Sequence, residues 1–88
     1  MRHATPAALD QLDALLATLR TLPGLKEKSR GTFYRGSKAF LHFHEDPTGM
    51  FADVRFAETF DRFRVSTKRE QADLVMRVRA ALTTTGGL

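Results

Sequence analysis

The sequence predicts an α+β domain: a helix, an antiparallel meander of three or four strands, and a second helix, with both helices on one face of the sheet. Three observations predict it. Leucines recur at three- and four-residue spacing from Leu9 to Leu19, the period shortens to two between Gly31 and Val65, and helical spacing returns from Leu74 to Leu82. At 88 residues the chain forms one domain, residues 1–88, because it is well below the length at which chains divide.

Thr5-Pro6 opens the first helix, expected over about residues 6–21. The threonine oxygen caps a free amide, and proline occupies a position whose amide hydrogen has no partner in the helix. Leu9, Leu12, Leu15, Leu16 and Leu19 supply its apolar stripe, and Leu22-Pro23-Gly24 stops it. The sheet follows over about residues 31–65. Gly36-Ser37 reads as a two-residue hairpin loop joining Thr32–Arg35 to Lys38–His44. Asp46-Pro47-Thr48-Gly49 has the residue order of a type I turn and leads into a strand from Met50 to Phe56. Phe60 to Val65 is a shorter alternation expected to form an edge strand. Thr67-Lys68-Arg69-Glu70 is a capping box, so the second helix is expected over about residues 68–82 with Leu74, Val75, Val78 and Leu82 inward. The tail, residues 83–88, is expected to fray.

Register decides what the sheet displays, since a slip of one residue sends every side chain to the opposite face. The first loop pairs Arg35 with Lys38, Tyr34 with Ala39, Phe33 with Phe40 and Thr32 with Leu41. Pairing Asp46 with Gly49 sets Phe43 against Ala52, His42 against Asp53 and Leu41 against Val54. One face then carries Tyr34, Ala39, Leu41, Phe43, Met50, Ala52, Val54 and Phe56. The other carries Phe33, Arg35, Lys38, Phe40, His42, His44, Phe51, Asp53 and Arg55, joined by Arg62 and Arg64 if Phe63 and Val65 point inward. A bulge at Gly49 would instead set Asp53 and Arg55 beside Leu41 and Phe43, at a cost of several kcal/mol for each unpaired charge.

Composition narrows the functional classes. There is no cysteine, hence no disulfide framework, no thiolate nucleophile and no cysteine-based zinc site. No apolar run approaches the ~20 residues of a membrane span, and the first residues lack the order of a signal peptide, so a cytoplasmic protein without membrane contact is expected. Fourteen Lys and Arg against ten Asp and Glu give a net charge of +4, which permits an anionic partner. No phosphate-cradling loop and no cofactor motif is present.

His42-Phe43-His44 puts two imidazoles on one strand face at metal-ligand spacing, with Asp53 opposite as a third candidate ligand. The bland counterpart is a cross-strand pair of His42 with Asp53 and a solvated His44. The same residues with Ser37 or Thr48 supply the parts of a nucleophilic triad, although Ser37 at a hairpin tip lacks the strained elbow such chemistry uses. Arg35, Lys38, Arg55, Arg62 and Arg64 interleaved with Phe33, Phe40 and Phe51 match the cation and ring pattern of single-stranded nucleic acid binders. Exposed rings on a small sheet equally suit a protein partner or self-association.

The residues Leu22-Pro23-Gly24, Ala39-Phe40-Leu41-His42-Phe43-His44, Ala52-Asp53-Val54-Arg55-Phe56 and Phe60-Asp61-Arg62 resemble, in that order, a bacterial family of small luciferase-domain proteins. That resemblance covers about half the chain, from Leu22 to Val65, and implies neither light emission nor a flavin. Leu22-Pro23-Gly24 and Gly36-Ser37-Lys38-Ala39-Phe40 are also similar to the MmcQ/YjbR type of small α+β protein, grouped by shape with DNA-binding folds. The expectation is therefore a binding or interaction module without established catalysis, using Arg35, Lys38, Phe40, His42, His44, Asp53 and Arg55. The alternatives are a metal or hydrolytic site at His42, His44 and Asp53, and nucleic-acid binding.

Overall fold

A computed structural model describes residues 1–84. Thr5 caps the first helix as expected, its Oγ1 accepting the Ala8 amide at 3.2 Å, with Pro6 in the first turn. The helix expected as one piece is two, α1 (Pro6–Gln11) and α2 (Asp13–Arg20). They meet at Leu12, whose amide bonds the Leu9 carbonyl at 3.0 Å in a tighter turn. No glycine or proline marks this bend. Leu9, Leu12, Leu15, Leu16 and Leu19 are nevertheless all buried, so the predicted stripe survives it.

The sheet has more strands than the alternation predicted. A two-residue strand β1 (Arg2–His3) precedes the helices, and β2 (Lys26–Ser29) precedes the first expected strand. Then come β3 (Thr32–Arg35), β4 (Lys38–Asp46), β5 (Gly49–Val54) and β6 (Asp61–Arg64), followed by α3 (Lys68–Thr84). All pairings are antiparallel, in the order β2-β3-β4-β5-β6. The long β4 pairs along one edge with β5 and along the other with β3 near its start and β1 near its end. β2 is wholly polar, which hides it from a search for apolar alternation. It is held through Glu27, which accepts from Arg20 at the end of α2 and from the Gly31 amide at 2.8 Å. The capping box of α3 forms: Glu70 N donates to Thr67 Oγ1 at 3.1 Å and Thr67 N to Glu70 Oε1 at 3.0 Å. The helix extends through Thr84, two residues past the expected end, and residues 85–88 of the expected tail lie outside the described residues.

The β4–β5 register is the predicted one throughout, from Asp46 against Gly49 to Leu41 against Val54. The β3–β4 register is not. Arg35 pairs with Lys38 and Tyr34 with Ala39, but Phe33 pairs with Leu41, leaving Phe40 as the extra residue of a bulge. The bulge shifts the alternation. Phe33 and Phe40, expected on the free face, are 1% and 3% exposed and belong to the core with Leu41, Phe43, Val54, Leu74 and Val78. Phe40 meets the ring of Phe56 edge-on at 6.0 Å, and Phe56 meets Phe63 at 5.7 Å. Tyr34 and Ala39 leave the apolar layer in exchange, and Lys28 Nζ lies 4.3 Å above the Tyr34 ring. Burying two phenylalanines contributes about 3–6 kcal/mol, which offsets both the ~1 kcal/mol of one disturbed ladder hydrogen bond and the smaller loss from Tyr34 and Ala39, each of them still partly buried, so the bulge wins.

Helices α1, α2 and α3 cover the apolar face: α2 packs on α3 and α3 on β6, and the leucines of α1 and α2 share one core with Phe33, Leu41, Phe43 and Val54. The opposite face of β4, β5 and β6 stays open. Among the described residues no helix is long and apolar enough to cross a membrane.

Candidate metal centre

His42 and His44 leave β4 on the open face, because the 2.0-residue period of a strand returns every second side chain to the same side. The β4–β5 register sets His42 against Asp53, and the β5–β6 register sets Asp53 against Arg62. One rung further along, β1 places His3 directly beside His44. The chain contains three histidines, and all three meet here. Each offers a ring nitrogen, and these nitrogens lie within 4.8 Å of one another.

The contacts are close. His44 Nε2 is 3.0 Å from His42 Nδ1, the His3 ring stacks on His44 at 4.6 Å, and the His42 ring lies 5.8 Å from His3. Asp53 binds its partner on β6 and not His42, its partner on β4. It accepts from Arg62 Nε at 2.7 Å and Arg62 Nη2 at 2.8 Å, and its Oδ2 lies 3.3 Å from His44 Nε2, diagonally across the ladder. The expected His42–Asp53 side-chain pair is thus replaced by a His42–His44–Asp53–Arg62 chain. Beyond it, the Phe60 ring packs 4.9 Å from His42, and Arg55 stacks on Phe60 at 4.7 Å.

Burial disfavours the charged form of the two strand imidazoles, His42 and His44. Burial lowers the pKa of His42 below the usual 6.5, and the neighbouring His44 lowers it further, against the pull of Asp53. Burial also lowers His44, again opposed by Asp53. The Asp53 carboxyl is held below its usual range chiefly by its two hydrogen bonds to Arg62. A neutral imidazole with a free lone pair is the form that binds a transition metal. Tetrahedral zinc at 2.0–2.1 Å from each nitrogen needs them about 3.4 Å apart, a spacing bracketed by the 3.0 Å and 4.8 Å found here.

Of the residues expected at a metal site, His42 and His44 are brought together, and Asp53 stands beside His44 in a charged pair with Arg62. The third member of the cluster is His3 and not Asp53. Of the wider binding surface, Arg35, Lys38 and Phe40 gather at the other end of β4, around the hairpin tip, and Arg55 spans the two regions, stacking on Phe60 beside the cluster and lining the same cavity as those three. The hydrolytic constellation does not assemble: Ser37 is in the hairpin loop, and Thr48 donates its hydroxyl to Asp46. His3 was invisible to sequence reasoning because its neighbours show no strand pattern; the one available signal was that the chain has a third histidine. Comparison of the chain with protein-family models, with curated proteins and with solved structures finds no match in any of the three.

Proposed function

We propose that this chain is a transition-metal-binding domain whose ligands are His3, His42 and His44, with zinc as the metal of first choice. The observation that carries the reading is the convergence of every histidine in the chain on one spot of an otherwise mixed sheet face. Three imidazoles suit zinc, copper, nickel or iron and leave coordination positions open for a further ligand. Asp53 Oδ2 lies 3.3 Å from His44 Nε2, the nitrogen that also faces His42, so Asp53 places a carboxylate beside the ion, with Arg62 holding it. A surface for base stacking or a broad protein contact is favoured less, because Phe33 and Phe40 are in the core.

Isothermal titration of the protein with zinc chloride tests this. The expected result is one ion per chain, with binding lost in His42→Gln or His44→Gln and weakened in His3→Gln. Asp53→Asn should weaken it, since a negative charge beside the cation is lost. Unchanged affinity in the His42→Gln/His44→Gln double variant, or no binding by the parent protein, would overturn the proposal.

A further inference from the structure

We propose a second, separate site: the cavity at the tip of the β3–β4 hairpin binds a phosphomonoester dianion. The cavity, of about 180 Å³, is bounded by Arg35, Lys38 and Arg55 together with Ala39, Phe40 and Phe56. No acidic residue lines it. Elsewhere on the molecule the arginines close to carboxylates are already matched: Arg20 with Glu27, Arg30 with Asp10 and Asp13, Arg62 with Asp53. Among the described residues no carboxylate forms an ion pair with Arg35, Lys38 or Arg55. Three positive charges therefore converge on one small space without a counterion.

The two guanidinium groups are also held in position before any ligand arrives. Arg35 lies over the Phe40 ring at 5.7 Å, and Arg55 over the Phe60 ring at 4.7 Å. Arg55 is tied further by its Nε, which donates to the Ala39 carbonyl at 3.1 Å and leaves its terminal nitrogens available. A planar fork stacked on a ring loses little freedom when it binds, and a guanidinium pair matches the geometry of phosphoryl oxygens. Lys38, exposed beside them, adds a mobile point charge. The charge count selects the ligand class. A dianion neutralises most of the excess, whereas a carboxylate or a phosphodiester, with one charge, leaves two of the three cations unmatched. The inner wall of Phe40 and Phe56 closes the cavity on the core side, which suits a terminal group better than a chain that threads through.

The test is an amide NMR titration with phenyl phosphate at low ionic strength and pH about 7.5, where a phosphomonoester carries close to two charges. The expected result is saturation in the millimolar range, with shifts centred on Arg35, Lys38, Ala39 and Arg55. Arg55→Gln should weaken binding by more than about fivefold, consistent with loss of a charge-assisted pair. Lys38→Gln, at an exposed position where the fold is not at stake, should weaken it by about two- to threefold. The His44→Gln variant, which loses the metal but keeps the His42, Phe60 and Arg55 stack, should bind phenyl phosphate as the parent does, which separates this site from the metal reading. Equal affinity for diphenyl phosphate, shifts centred elsewhere, or unchanged affinity in both charge variants would overturn the proposal.

Discussion

Replacing Phe40 by alanine measures the bulge directly. Phe40 is 3% exposed, meets Phe56 edge-on and carries Arg35 on its face. Truncating a buried phenylalanine costs about 3–5 kcal/mol. The hairpin cavity borders this ring, so water can enter the space left behind, and the lower end, about 3 kcal/mol, is expected. At ~0.05–0.15 kcal/mol per residue the domain has about 4–13 kcal/mol in hand, so the variant should fold in buffer. With a urea slope of about 1 kcal/mol/M, the midpoint should fall by about 3 M. Strict alternation would have put Phe40 on the open face, where the same change costs under about 1 kcal/mol. Chemical denaturation of the Phe40→Ala variant beside Phe51→Ala, whose ring is half-buried on the open face, decides between them. A Phe40→Ala loss no larger than that of Phe51→Ala would refute the argument that core burial drives the bulge.

Acid should weaken the fold in two stages. His42 and His44 titrate below their ordinary 6.5 in the folded protein, so the unfolded chain takes up protons first. Stability contributed by keeping them neutral is complete above pH 6.5 and falls as pH drops below it, at up to about 1.4 kcal/mol per pH unit for each histidine. Asp53 follows the same sign at lower pH, its contribution lost as pH falls below 3.8 and through its depressed folded value. Urea midpoints measured between neutral pH and pH about 5 should decline in the parent and stay flatter in the His42→Gln/His44→Gln variant; parallel curves would contradict this. Gly31→Ala should destabilise by about 1–2 kcal/mol or more, since Gly31 has φ +81° and an added Cβ would stand 2.8 Å from Leu9 Cδ2. Thermal melting of that variant checks it, and an unchanged midpoint would show that the turn relaxes freely.

The parts of the fold that local chemistry specifies were legible. The Thr5-Pro6 start, the Thr67 to Glu70 box and the Asp46 to Gly49 turn each name their own hydrogen bonds, and each forms. Because that turn sets the β4–β5 register, the shared face of His42, His44 and Asp53 was legible too, as was the arrival of Arg62. What escaped depends on distant partners. The bulge at Phe40 reflects the helix layer waiting on the other side of the sheet, not the hairpin loop, which pairs Arg35 with Lys38 in either case. β2 exists because β3 has an open edge and Glu27 a partner on α2, and β1 because β4 outlasts β3. The third histidine came with β1, some forty positions from its companions, where no spacing rule reaches.

That distance bears on how the N-terminal strap is held. β1 has only two residues, both exposed; it is attached by two backbone pairings, by the Ala4 amide on the Phe43 carbonyl at 3.1 Å, by the stacking of His3 on His44, and by Glu45, which accepts the Thr5 amide at 2.7 Å and faces Arg2 at 3.7 Å. A metal shared by His3 and His42 would act there as a removable cross-link, closing a loop of 39 residues, 42 minus 3. In the chain-entropy account a cross-link of that length removes about 4 kcal/mol of freedom from the unfolded chain. The ion would then fasten the strap and raise the stability of the whole domain together, and withdrawing it would loosen first the one element that supplies a ligand from outside the main meander.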